Sequence, residues 1–437
     1  MMFSAVRSPD ASSLETPVNP VSRPGSLPTF AEIQTLLQIY MNHSCPQVPI
    51  LTRHEADVYV KQTYLVQKSP ITSEDKTSHY FTHIIAAIAY AKDPADVRAE
   101  EQHASALYYL PFVLKGSRLN SLEAILLLTV YGTNRPSTPG IWYTLGIASR
   151  LITDLSIHAG ADSVKEQTLF WSWYVLDRQI CVYLSRPVGI GDNVIHCPIP
   201  PLGPVPTSFC ELRIMQSEIQ RILHHSDTLP REYPTLEEWR RVVTMRLDAW
   251  EQKRPKTSAE AGVEFNLDFL TLNYEQTRLL LHGFSSNLPI TRSVVLESSK
   301  LIVEIYRDLW YQDSVNFIWL AIHNVHIAAS SFIYALLQRP NEHATRDLQT
   351  MKETVITMLH GMSTRCPASL QILDVFLDLA GDVENRLSLA SPSMSSGPRD
   401  IGMSELEFMA MINNSSKDSL WDNFIAGEDF TFMDFST

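Results

Sequence analysis

Three sets of side chains in this sequence have the types and spacing to do chemistry. His79 and His83 stand four residues apart, and His323 and His326 three apart. On a helix each pair would share a face, as two ligands of a metal ion do. Neither pair lies in an H-E-x-x-H signature, so ordinary core or surface histidines are the expectation. Asp374, Asp378 and Asp382 recur every four residues, and helical enzymes use aspartates to hold magnesium and diphosphate. Their aspartate-rich box is not matched and no second metal motif accompanies it, which favours a solvated helix face. The third set is Asp177 and Arg178, set in the otherwise apolar run LFWSWYVLDRQICVYL. Adjacent residues on a helix point in different directions, so the two are not expected simply to pair with each other. Each buried charge then needs a partner, and structural ion pairing is the expected role.

No G-x-S-x-G elbow, phosphate-binding loop or dinucleotide fingerprint is present. We therefore expect no catalytic residue, no cofactor and no metal. The five cysteines (Cys45, Cys181, Cys197, Cys210 and Cys366) are scattered and never spaced C-x-x-C, which suits neither a disulfide framework nor a zinc site. The formal net charge of −13 argues against a broad basic surface for nucleic acid. One compact basic cluster occurs, Lys253, Arg254 and Lys256 around Pro255. It reads either as a nuclear import signal or as a solvated helix end.

The elements that would position these groups are helices. Residues 1–27 are rich in Ser and Pro and read as disordered. From 28 to 388 the apolar residues recur at helical spacing, and no strand alternation is sustained, so the expected fold is all-α. Ile33, Leu36, Leu37 and Tyr40 mark a first helix, and 80–91 a buried one. Asn120 with Glu123 reads as a capping box opening a helix that is apolar nearly all round. A helix from Ile141 to Leu155 follows, with Gly160 as its stop, and then a central helix over 169–184. Pro187 to Pro206 holds six prolines and reads as an irregular connection. Further helices are expected near 209–226, 235–253, 265–283, 292–311, 315–338, 346–364 and 367–386. No run approaches the roughly 18 consecutive apolar residues of a membrane span, and no apolar leader opens the chain.

After a Ser/Pro/Gly linker (389–403), residues 404–437 change character. Seven acids face one base, Lys417, and Phe408, Trp421, Phe424, Phe430, Phe432 and Phe435 are interleaved with them. Acids keep such aromatics solvated, so that a partner groove can take up Trp421, Phe424, Phe430, Phe432 and Phe435. The alternative is a tail that docks back on the core.

In detail the segments WYTLGIASRLITDLSIH (142–158) and FWSWYVLDRQICVYLSRPVGIGDNVIHCPIP (170–200) resemble the middle homology region of fungal binuclear zinc-cluster transcription regulators. The resemblance rests on Trp171, Trp173, Asp177, Arg178, Arg186 and Pro187, followed by Asp192 and Pro200, and extends more weakly over residues 28–388. It implies an all-α regulatory domain in a nuclear transcription regulator, with a biosynthetic gene cluster as its target. The family's six-cysteine, N-terminal zinc cluster is not matched here, so DNA contact is expected to be indirect, through a partner, or to lie on an upstream exon. Other transcription regulators or coactivators are the expected partners, with a small-molecule effector and a homodimer as further possibilities. The competing reading is an α-helical small-molecule binder or enzyme, with a pocket beside the Trp171–Tyr183 helix.

Overall fold

The computed structural model describes residues 23–389, apart from 66–71, 94, 136–139, 184–185, 226, 286, 316 and 339–342. Among these residues there are fifteen α-helices and no strand. The first half comprises α1 (Phe30–His43), α2 (Arg53–Leu65), α3 (Ser73–Tyr90), α4 (Arg98–Leu114), α5 (Arg118–Asn134), α6 (Ile141–Asp154) and α7 (Val164–Tyr183). The middle holds α8 (Pro204–Ile219), which runs on as a π-turn over Gln220–His224, then α9 (Leu236–Lys253) and the short α10 (Ser258–Ala261). The last five are α11 (Asp268–His282), α12 (Arg292–Tyr311), α13 (Ile318–Gln338), α14 (Ala344–Met362) and α15 (Ala368–Leu389).

Local chemistry accounts for many of these boundaries. Thr29 caps α1 by accepting from the Glu32 amide, and the buried stripe is Ile33, Leu36, Leu37 and Tyr40, as the periodicity indicates. Thr72 and Asp75 form a reciprocal capping box at α3. Three helices fall outside the expected runs, the four-residue α10 among them. α2 buries only Ala56, Val60 and Thr63, too narrow a stripe to stand out. α4 carries Pro111 in its interior, which removes a helical hydrogen bond and reads as a breaker. Packing against α3 overrides both signals.

Four boundary expectations need correction. α5 starts at Arg118, so Asn120 lies inside the helix and caps nothing; Glu123 is buried and bonded to Lys165 instead. α6 ends at Asp154, and the chain turns at Ser156 (φ 59°) rather than at Gly160. α8 begins at Pro204, because Pro204 and Pro206 lie in a first turn, where no N–H is needed. Before α1, Gly25 donates to Ser105 (2.8 Å) and Ser26 accepts from Gln102 (3.0 Å), so the folded part begins before residue 28. Residues 1–22 and 390–437 lie outside the described residues.

The helices bury two large apolar cores. One gathers α1 to α8 with Trp250 of α9; the other gathers α11 to α15. The start of α13 joins them: Trp319 and Leu320 pack in the first core, while Ala321 onward packs in the second. The Trp319 indole donates to the Thr133 carbonyl at the end of α5 (3.2 Å). α13 is long and apolar enough to cross a membrane, but it is the central helix of this fold and almost wholly buried.

In the first core Gly132 lets α5 and α6 approach closely. A methyl group added there would lie 2.6 Å from Cγ2 of Ile141. Gly132→Ala should therefore lower stability by about 1 kcal/mol net, with overpacking outweighing the gain in helix propensity. A urea midpoint equal to or above that of the parent would refute this packing.

Candidate functional site

The densest buried polar arrangement centres on Arg178 of α7, whose side chain is fully buried. Its Nη1 donates to Asp177 Oδ2 (2.6 Å), and its Nη2 donates to the Ile190 carbonyl (2.7 Å) and Asp192 Oδ1 (2.8 Å). Nε reaches Ser217 Oγ of α8 (3.2 Å), and the guanidinium lies 4.2 Å from the Tyr174 ring centroid. The expectation that Asp177 and Arg178 do not pair is thus corrected. The flexible arginine stem carries its planar fork back over the neighbouring carboxylate, which the Cβ directions alone do not reveal.

Asp192 closes the arrangement from the loop after α7. It accepts from the Tyr174 hydroxyl (2.9 Å) and from Ser217 (2.6 Å) as well as from Arg178. Burial pushes its carboxyl up, but Arg178, Ser217 and Tyr174 outweigh that and hold it below the ordinary range. Asp177 goes the other way: burial raises it, against the pull of Arg178 and the Gly189 amide. That amide comes close because residue 189 has no side chain; a Cβ would meet Asp177 Oδ1 at 3.0 Å and Trp173 Cζ2 at 3.1 Å.

The other residues singled out by the resemblance frame this lock. Trp173 is fully buried, with its indole donating to the Leu145 carbonyl of α6 (3.4 Å). Trp171 donates to the Pro198 carbonyl (2.9 Å). The Arg186 guanidinium sits 5.1 Å from the Trp142 ring, and the Pro187 carbonyl accepts from Cys181. Sequence reasoning missed Tyr174, Gly189 and Ser217. Ser217 in particular is an unremarked serine in an apolar helix, and only the packing of α7 on α8 gives it a role. The ionic groups hold α7, its following loop and α8 together.

A second ionic group, with Glu123 buried and Lys165 and Glu55 partly exposed, lies at the start of α7. Lys165 of α7 bonds Glu123 of α5 (2.5 Å), Glu55 of α2 (2.9 Å) and the Ile50 carbonyl (2.9 Å). It ties four segments at one end of the first core.

The histidine candidates are taken up by packing; the rings of His79 and His83 do share a face, 6.3 Å apart, and both stack on Tyr109. His83 Nδ1 is engaged with Gln102 Oε1 (2.7 Å). His326 lies buried in the second core. Among the described residues no three His, Cys, Asp or Glu side chains converge on a metal-sized site. Asp374, Asp378 and Asp382 are all exposed along α15. The basic cluster ends α9. Lys253 bonds Glu211 (2.6 Å), Lys256 bonds Glu251, and Arg254 is buried between Glu251 and Thr271. In the fold each of these cations bonds an acid, Arg254 and Lys256 sharing Glu251. Trp421, Phe424, Phe430, Phe432 and Phe435 lie outside the described residues.

A cavity beside α7 is lined by Leu176, Gln179, Ile180, Phe265, Phe317 and Trp319, at the junction of the two cores. Its volume is about 30 Å³. A water needs at least about 10–15 Å³, and pockets that hold drug-sized ligands run to roughly 300–1,000 Å³. In this conformation it has room for water, not for a metabolite.

Comparison with known proteins places this architecture. Residues 37–223 match the model of the fungal specific transcription factor domain. That span runs from α1 to the π-turn after α8 and contains the whole Arg178 arrangement. The chain is 24% identical to the positive regulator of purine utilization of Emericella nidulans, over 86% of this chain and 48% of that protein. It is 29% identical to pyrimidine pathway regulatory protein 1 of Saccharomyces cerevisiae, over 59% of this chain and 33% of that protein. The chain thus spans half or less of the length of these two relatives. The sequence motif, the helical fold and these matches agree in one likeness: residues 37–223 are similar to the fungal specific transcription factor domain.

Proposed function

We propose that this protein regulates transcription in the nucleus, with the helical domain as scaffold and the acidic, aromatic C-terminal segment as the part that recruits coactivators. The observation that carries the reading is that the family match covers the helices whose charged side chains are turned inward on one another, in ion pairs that hold the fold. Both relatives are named as pathway regulators, which supports a regulator of a dedicated gene set. A biosynthetic gene cluster is our proposed target, with genes of nucleobase metabolism as the second reading that the relatives' names favour. Transcript profiles of a strain lacking the gene separate the two.

DNA contact is assigned to a partner or to an upstream exon. Five dispersed, buried cysteines cannot assemble a six-thiolate cluster. The activation reading is tested by tethering residues 389–437 to a foreign DNA-binding domain. We expect reporter expression to rise, and Trp421→Ala with Phe424→Ala to remove most of the rise. A silent reporter would refute the role given to this segment.

A further inference from the structure

The outer face of α6 exposes apolar side chains. Tyr143 and Ile147 are exposed one turn apart (38% and 42%), with Gly146 between them. A side chain at Gly146 would meet only Arg150 Nη1, at 3.4 Å, so the position is an open notch in the middle of a helix. Glycine is disfavoured there by about 1 kcal/mol relative to alanine. One basic group, Arg150, borders the notch, and two more lie toward the ends of the helix, one of them matched by an acid. Arg150 is exposed and bonds the Gly146 carbonyl (2.9 Å), Arg186 lies against Trp142 at the start of the helix, and Arg118 pairs with Asp154 at its end. An apolar notch with an exposed guanidinium beside it suits a ligand with both aromatic rings and carboxylates.

Such a segment exists in the same chain. Residues 404–437 carry seven acids, one base and six aromatic side chains. The tether from the end of α15 at 389 to 404 can span about 50 Å when extended. A folded body of this size has a radius of gyration of about 21 Å. The α6 face is therefore within reach.

We propose that the acidic, aromatic tail of this chain docks on the outer face of α6, with an aromatic ring in the Gly146 notch and carboxylates on Arg150 and its neighbours. This rests on the reading of the tail as an activation segment, and it would hide the same aromatics that recruit coactivators. The attraction is largely ionic and should weaken with salt.

The test uses the full chain labelled with 5-fluorotryptophan, with the Trp421 resonance assigned by Trp421→Phe. In the parent we expect Trp421 to resonate away from the random-coil position. Arg150→Glu with Ile147→Glu, or 0.5 M salt, should return it there. Gly146→Ala fills the notch without harming the helix and should shift the resonance in the same direction. A parent resonance already at the random-coil position, or one that these changes leave in place, overturns the proposal. So does a shift lost on tenfold dilution, which would mark a contact between copies. The two readings fail separately. A tethered tail that activates while Trp421 stays put in the variants refutes docking alone. A silent tether with a mobile resonance refutes activation alone.

Discussion

Replacing Arg178 with methionine should cost about 3–5 kcal/mol of stability, enough to leave much of the protein unfolded. The side chain is fully buried and serves Asp177, Asp192, Ser217 and the Ile190 carbonyl at once. Methionine fills much of the volume but strands the buried Asp177 carboxylate and the Ile190 carbonyl, and removes the cation beside the partly exposed Asp192. The loss comes from those orphaned groups more than from the bonds themselves. Arg178→Lys should fall between, because one ammonium cannot reproduce a guanidinium that reaches four acceptors. Asp177→Ala should also destabilise, by leaving the Gly189 amide without its acceptor. Urea denaturation of the four proteins measures this series. An Arg178→Met variant as stable as its parent would mean that the arrangement contributes nothing net to the fold.

Acidification from pH 7 to pH 5 should produce the other large effect. Burial holds His83, His103, His282 and His326 down to about 4 and His323 to about 3. A free histidine takes up a proton near 6.5. Between about 6.5 and 4, then, the unfolded chain binds protons that the folded chain refuses, and stability falls as pH falls. Each such group forfeits up to about 2 kcal/mol by pH 5. Even two of the five acting fully would remove about 4 kcal/mol, a large share of a domain's stability. Asp177 and Glu123 oppose this, since burial raises their carboxyls and protonation relieves them. They are outnumbered. His326 offers the cleanest control, because neither of its ring nitrogens has a hydrogen-bond partner in the fold. His326→Gln should flatten the pH dependence measurably. A urea midpoint constant from pH 7 to 5 would show that these histidines charge freely within the fold.

Helical periodicity alone located the all-α class, the stripes of α1 and α6, and most helices after α8 within a few residues, because the 3.6-residue repeat and capping are local properties. It passed over α2 and α4, whose signals are a narrow stripe and an internal proline, since neighbouring helices supply the stabilisation there. The resemblance was legible in the run from Trp171 to Pro200, and Asp177 and Arg178 were visible as buried charges in need of partners. Which partners they take was decided by tertiary structure. Gly189 and Ile190 come from the loop, Asp192 from its short 3₁₀ turn, and Ser217 from a helix 39 residues beyond Arg178. Glu123, written like a capping residue, became the buried partner of Lys165 for the same reason. Side-chain reach and helix packing, which set these contacts, depend on where distant segments meet, and a linear pattern carries no record of that.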